Sequence, residues 1–226
     1  MIEGLGLVIV AAGTSNRMNG IDKIWAPLGE HSVVWHSVHK LGSVAEHTVV
    51  VVHETHTERA QSEFVSLERT PTIVAGGVRR QDSVSRGLAA LPAVRIVAIH
   101  DAARPFAKPD LLFRGAELIE DCDGAIPGLP VTDTIKQVDI REGIILTVER
   151  DSLRAVQTPQ VFRRDSLVEA HLSERASLGT ATDDASILEA CGRRVRVFPG
   201  QWGNFKITTE YDLRLARLLI AGPCLP

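Results

Sequence analysis

The stretch Val8-Ile9-Val10-Ala11-Ala12-Gly13-Thr14-Ser15-Asn16-Arg17-Met18, followed by Asp22-Lys23, decides the fold. Its apolar start predicts a buried strand. Small residues then break the run into a loop that presents Arg17 and Lys23. Such residues let backbone N–H groups approach an anion closely, and two nearby cations neutralise it. The combination points to a site for the phosphates of a nucleotide. It is neither a dinucleotide fingerprint, which needs three glycines, nor a P-loop, since no G-K-[ST] follows Gly13.

Working outward, Leu7–Ala11, Thr48–Val52, Thr72–Ala75 and Ile96–His100 are continuous apolar runs. Runs of this kind suit strands covered on both faces. Helical spacing lies between and after them, at Val33–Leu41, Thr57–Leu67, Asp82–Leu91 and Asp110–Asp121. This β-α-β-α order predicts a parallel, Rossmann-like α/β sheet with helices on both faces and a ligand site beyond the carboxyl ends of its strands. The loop at Ala11–Arg17 and Asp101 both fall there.

The pattern changes in the second half. Gly124–Val131 is apolar but carries Pro127, Gly128 and Pro130. Thr134–Asp139 and Ile144–Glu149 read as two strands joined by a turn at 140–143. With no helix between them, they predict a projecting antiparallel β-arm at about 132–157. Exposed strand edges need a cover, and a second subunit supplies one. Ser166–Glu174 and Asp183–Ala190 read as helices, the latter capped by Thr182 or Asp183. Val195–Phe198 and Phe205–Thr208 read as short strands and Glu210–Ile220 as a last helix. The 226 residues are read as one domain, 1–226.

The chain is 44% hydrophobic and 23% charged, with a net charge of −3. These fractions fit a globular protein, and the charge argues against a general nucleic-acid binder. Cys122, Cys191 and Cys224 form no C-x-x-C motif and read as reduced thiols. The start lacks a basic segment, and the run from Leu5 to Ala12 is too short to span a membrane. A cytoplasmic protein is the expectation.

Three further segments carry candidate chemistry. Asp101 ends an apolar strand, where a carboxylate can bind Mg²⁺ together with substrate phosphates or simply cap the chain or pair with Arg104. In Gly76-Gly77-Val78-Arg79-Arg80-Gln81-Asp82-Ser83, two glycines free the backbone for a close ligand, Arg80 can hold the loop, and Ser83 can bond a base or sugar. Lys206, between Phe205 and Ile207, either snorkels to solvent or stabilises developing phosphate charge. The histidine pairs His36-x-x-His39 and His53-x-x-His56 lack companion ligands and read as surface or core residues. No G-x-S-x-G elbow is present.

Taken together, the chain resembles the 2-C-methyl-D-erythritol 4-phosphate cytidylyltransferases of the non-mevalonate isoprenoid pathway. Ala11-Ala12-Gly13 with Arg17-Met18 matches the first signature loop, and Lys23 with Pro27-Leu28-Gly29 the segment after it. Gly76-Gly77, Arg80 and Asp82-Ser83 match the glycine-pair loop, and His100-Asp101-Ala102-Ala103-Arg104-Pro105 is identical to the family's motif. Pro130-Val131, Asp133-Thr134, Lys136 and Arg150 fit the arm. Gln157-Thr158-Pro159-Gln160, Thr182-Asp183-Asp184-Ala185-Ser186 and Asn204-Phe205-Lys206-Ile207-Thr208 complete the set, in the family's order.

The resemblance implies a nucleotidyltransferase fold, CTP as substrate, Mg²⁺ as cofactor, and a homodimer joined through its arms. It also implies roles. Arg17, Lys23 and Lys206 surround the phosphates as catalytic residues. Backbone from Ala11 through Ala12 to Gly13 holds the nucleotide, with Gly77, Arg80, Ser83, Asp101 and Ala102. Asp101 binds the metal. Arg104 and the partner's arm residues, at the positions of Thr134 and Arg150, meet the sugar-alcohol phosphate, supported by Thr158 and Thr182. Ser15, Asp22 and Gly203 depart from the family's usual residues. A ribitol-5-phosphate cytidylyltransferase shares most of these motifs. Asp22-Lys23 is also similar to molybdenum-cofactor guanylyltransferases, and a non-catalytic nucleotide-binding module is the alternative of another class.

Overall fold

In the computed structural model, residues 1–13, 22–173 and 181–222 are described. The first strand, β1 (Ile2–Ala11), lies at the centre, flanked in parallel by β4 (Ala45–Val52) and β6 (Ile96–Asp101). Continuous apolar residues suit this place, because both faces of β1 are covered. Leu5, Leu7 and Ile9 point into one core, against α1 (Val33–Gly42), α2 (Thr57–Phe64) and α4 (Asp110–Leu118). Val8 points into the other, against α3 (Arg80–Ala90), α5 (Arg164–Leu172) and α6 (Asp184–Ala190). The two-residue period of the strand thus distributes one hydrophobic run between two layers of helices.

The sheet continues from β4 to β5 (Thr72–Ala75) in parallel. On the other side of β6 lie β11 (Gln160–Arg163), β7 (Gly124–Pro130) and β10 (Arg154–Val156), with β12 (Val195–Pro199) parallel to β7. Here the expected all-parallel order gives way, since β11 is antiparallel to both β6 and β7. Residues 154–163 act as one strand broken at Gln157–Pro159, with both pieces antiparallel to β7. A short hairpin, β2 (Pro27–Leu28) with β3 (His31–Ser32), precedes α1.

The arm is present as β8 (Ile135–Val138) paired with β9 (Ile144–Val148). It is shorter than expected at its far end, because residues 154–156 already hydrogen-bond to β7 in the main sheet. Ile140, Ile144, Ile145 and Leu146 on the arm are exposed.

One expected strand is absent. Residues 205–208 belong to no sheet and bond through Ile207 N–H to Ala103 O at 2.8 Å. Their apolar side chains are covered by other means: Ile207 packs with Leu213 and Ala216 of α7 (Glu210–Ala221), and Phe205 stacks on Phe106. After β12 the chain turns at Trp202–Gly203 and leaves the sheet. This course carries Lys206 to the site.

Candidate active site

The carboxyl ends of β1, β4, β5 and β6 open into a hollow of about 430 Å³. Its lining includes Ala11, Ala12, Gly13, Lys23, Gly77, Arg80, Ser83, Asp101 and Lys206. A second hollow of about 210 Å³ is lined by Arg104, Thr158, Gln160, Thr182 and Asp183, and also by Arg80, Asp101 and Lys206. The three residues common to both form a shared wall.

That wall is an ionic cluster. Lys206 Nζ lies 2.7 Å from Asp101 Oδ2, and Arg80 Nη2 lies 3.4 Å from Asp101 Oδ1. Burial opposes ionisation of Asp101, yet the Arg80 and Lys206 cations outweigh it and hold the carboxyl well below its ordinary range. The guanidinium of Arg80 likewise overcomes its own burial, with Asp184 and Asp101 holding its pKa above the usual arginine value. Asp184 behind Arg80 balances the second cation, so the cations Arg80 and Lys206 are held in fixed positions where the two hollows meet.

The larger hollow is shaped by small residues. A Cβ on Gly76 would stand 2.4 Å from Ala12 Cβ, and one on Gly77 would stand 2.3 Å from Asp82 Cβ. No side chain fits either position without moving the loop. Ser83 lines the hollow, and its Oγ also accepts from Gly77 N–H at 3.1 Å and donates to Arg79 O at 3.2 Å, so it braces the glycine turn. Arg80 does not hold this loop, since its guanidinium forks to Asp101 and Asp184. Ala102 does not line the hollow. It is fully buried, its N–H bonds to Val10 O, and its carbonyl accepts from Ser37 Oγ; Ala103 lines the space instead.

The smaller hollow is shaped by hydrogen bonds. Thr158 Oγ1 accepts from Asp101 N–H at 3.0 Å and lies 3.1 Å from His100 Nδ1. Burial pushes the His100 imidazole down to about 4, so it is neutral near pH 7. Its Nε2 faces Arg104 O at 3.3 Å, an acceptor. Nε2 therefore carries the hydrogen, and Nδ1 accepts from the Thr158 hydroxyl. Arg104 donates to Asn204 O and Val156 O, while burial lowers its pKa against the pull of Asp101. Buried Asn204 donates to Thr158 O at 2.9 Å, and Gln157 reaches Gln201 O and Asn204 O. Gln160 donates to Asp183, whose other oxygen caps α6 through Ser186 N–H.

Lys23, Asp101 and Lys206 are thus brought together as expected, with Gly13 and Gly77 beside them. Arg17 and Ser15 lie outside the described residues. Thr134 and Arg150 stand apart from both hollows of their own chain, with Arg150 donating to Thr132 O at the base of the arm. His100, Gln157, Gln160, Asp184 and Asn204 are buried polar residues around the site to which motif reading gave no role. All five sit inside recognised motifs, but polarity at buried positions becomes visible only once burial is known.

A glycine-lined hollow at the carboxyl ends of a parallel sheet, walled by an aspartate between two cations, defines a nucleotidyltransferase. The family model for 2-C-methyl-D-erythritol 4-phosphate cytidylyltransferase (IspD) matches residues 5–221, and the chain belongs to that family. A cytidylyltransferase of this name from Dehalococcoides mccartyi (strain CBDB1) is 40% identical over 222 residues, covering 96% of each chain. The crystal structure of the Thermus thermophilus 2-C-methyl-D-erythritol 4-phosphate cytidylyltransferase superposes with a TM-score of 0.76 at 30% identity, covering 94% of this chain and 96% of that one. The Anaerococcus prevotii 4-diphosphocytidyl-2C-methyl-D-erythritol synthase shares the fold, with a TM-score of 0.86 at 24% identity over 97% of this chain and 99% of that one.

Proposed function

We propose that this chain transfers the cytidylyl group of CTP to 2-C-methyl-D-erythritol 4-phosphate, giving 4-diphosphocytidyl-2-C-methyl-D-erythritol and pyrophosphate. The observation that carries this reading is the wall of Arg80, Asp101 and Lys206 between two hollows. The larger takes the nucleotide and the smaller takes the sugar-alcohol phosphate, so the reacting groups meet at the cations.

A phosphate oxygen of the acceptor attacks the α-phosphorus of CTP. A new P–O bond forms, the bond to the β-phosphate oxygen breaks, and pyrophosphate leaves. The phosphate monoester is largely ionised near neutral pH, so no strong general base is required. The barrier lies in bringing two anions together. Lys23 and Lys206 lower it by charge neutralisation, and Gly76 and Gly77 let the backbone close on the nucleotide. Arg17 is assigned to the same charge neutralisation through its place in the family's first signature loop.

Mg²⁺ fits this donor set as an ion that arrives with the nucleotide. Asp101 keeps lone pairs beyond those engaged by Arg80 and Lys206. Magnesium is commonly held by one or two carboxylates together with substrate phosphates. Among the described residues, no group of three or more acidic, histidine or cysteine side chains could hold an ion alone. When bound, the ion withdraws charge from the transferring phosphate. Thr134 and Arg150 reach the acceptor from the arm of a second copy, whose exposed isoleucines and Leu146 give that copy a surface to cover. The protein acts in the cytoplasm; no described helix is long and apolar enough to cross a membrane.

Pyrophosphate release tests the reading, with CTP and GTP each paired with 2-C-methyl-D-erythritol 4-phosphate and with ribitol 5-phosphate. Turnover is expected with CTP and the methylerythritol phosphate alone. Equal turnover with either substitute overturns it.

A further inference from the structure

Arg80 opens α3 and forks between two carboxylates of different kinds. Nη2 reaches Asp101 in the shared wall, while Nη1 lies 2.7 Å from Asp184 Oδ2. Asp184 is wholly buried and lines neither hollow. Its other oxygen receives His171 Nε2 at 3.1 Å, and His171 Nδ1 lies 3.3 Å from Ser85 Oγ. An ionised carboxylate only accepts, so both contacts to Asp184 are donated to it. The bonds close a ring: from Arg80 on α3 to Asp184 on α6, to His171 on α5, and back to Ser85 on α3.

Such a ring does more than satisfy a buried charge. An unpaired carboxylate at this depth is costly, so Asp184 keeps hold of both donors. Arginine has a planar fork, and fixing one nitrogen fixes the direction of the other. The distance from Arg80 to Asp101 is therefore set from behind, by residues that touch no substrate. Asp184 also directly follows Thr182-Asp183 at the edge of the smaller hollow, so the same anchor ties the nucleotide loop to the acceptor side.

We propose that Asp184 and His171 are positioning residues that aim the Arg80 guanidinium at the wall between the two hollows, fixing one geometry in which both phosphates meet it. The inference rests on the cytidylyl-transfer reading above. A pair serving the fold alone would affect turnover through stability and through binding, independently of Arg80.

The test is a double-mutant cycle in pyrophosphate release on His171→Leu, Arg80→Gln and the combined variant, with CTP affinity measured by calorimetry without acceptor. His171→Leu is expected to lower kcat about tenfold or more while leaving CTP affinity unchanged. His171→Gln, which keeps an N–H for Asp184, recovers most of that loss. In the Arg80→Gln background, His171→Leu costs nothing further. Should His171→Leu fail to fold, Asp184→Asn replaces it in the same cycle. Multiplicative losses, or a fall in CTP affinity that accounts for the kcat loss, overturn the inference while an active wild type leaves the reaction standing. A wild-type protein that makes no product overturns both.

Discussion

The two hollows are built by opposite means. The larger takes much of its lining from two loops each continuous in sequence, Ala11–Gly13 and Gly77–Ser83, joined by Lys23, His53, Asp101 and Lys206. The smaller is assembled from side chains of distant segments, held by bonds among His100, Gln157, Thr158 and Asn204. One is defined by what is absent, a Cβ; the other by a network of side-chain hydrogen bonds, in which Arg104 Nε, Gln160 Oε1 and Asn204 Oδ1 are buried without a protein partner. They should therefore fail differently under mutation.

The shared wall is the place to strike both at once. Lys23→Ala or Lys206→Ala should cost about 3 kcal/mol of transition-state stabilisation, roughly a hundredfold in kcat/KM. Thermal unfolding should change little by comparison. Near-normal turnover in either purified variant contradicts their assignment.

The hollows can next be separated. Gly76→Ala forces a contact 2.4 Å from Ala12 Cβ, and overpacking of this kind costs about 2 kcal/mol. We expect the KM for CTP to rise with little change in the KM for the acceptor. Asn204→Ala removes a buried donor to Thr158 O and should do the reverse, at about 1–3 kcal/mol. Steady-state kinetics with each substrate varied in turn distinguishes them. Parallel changes in both KM values would erase the distinction.

Acidification should act on the hydrogen-bonded side through His100. The folded His100 value, about 4, lies below the unfolded 6.5, so the unfolded chain takes up the proton first as pH falls. Stability contributed by neutral His100 is intact above pH 6.5 and is lost toward pH 4, at about 1.4 kcal/mol per unit. Urea unfolding across that window should flatten in a His100→Asn variant. An unchanged slope would mean that other groups carry the acid sensitivity.

The smallest effect belongs to the arm. Arg150→Ala should raise the KM for the sugar-alcohol phosphate roughly fivefold, as for a solvent-exposed contact. In mixed dimers of Arg150→Ala and Lys206→Ala subunits, one site should combine wild-type turnover with the wild-type KM for the acceptor, a combination that neither homodimer has. Its absence would count against a site shared between copies.

The same contrast explains what the sequence revealed. Strand Thr72–Ala75 and helix Val33–Gly42 were legible because apolar spacing alone determines them. The glycine-pair loop was legible because its residues are contiguous. Residues 154–163 were not, since Pro159 and the polar Gln157, Thr158 and Gln160 mask a strand whose partners lie elsewhere in the chain. Phe205–Thr208 misled in the other direction. Its alternation is that of a strand, but its apolar side chains are covered by α7 and Phe106 rather than by a sheet. Asp184 and His171 carry no spacing signal at all, because their meaning depends on three helices meeting.

Because Arg80, Asp101 and Lys206 face both hollows, they cannot be retuned for a new acceptor without disturbing the nucleotide. Gln157, Gln160 and Thr182 face the smaller one only. Altered choice of sugar alcohol, whether selected in a laboratory or arising in nature, should accumulate at those three positions and leave the base and triphosphate handled as before.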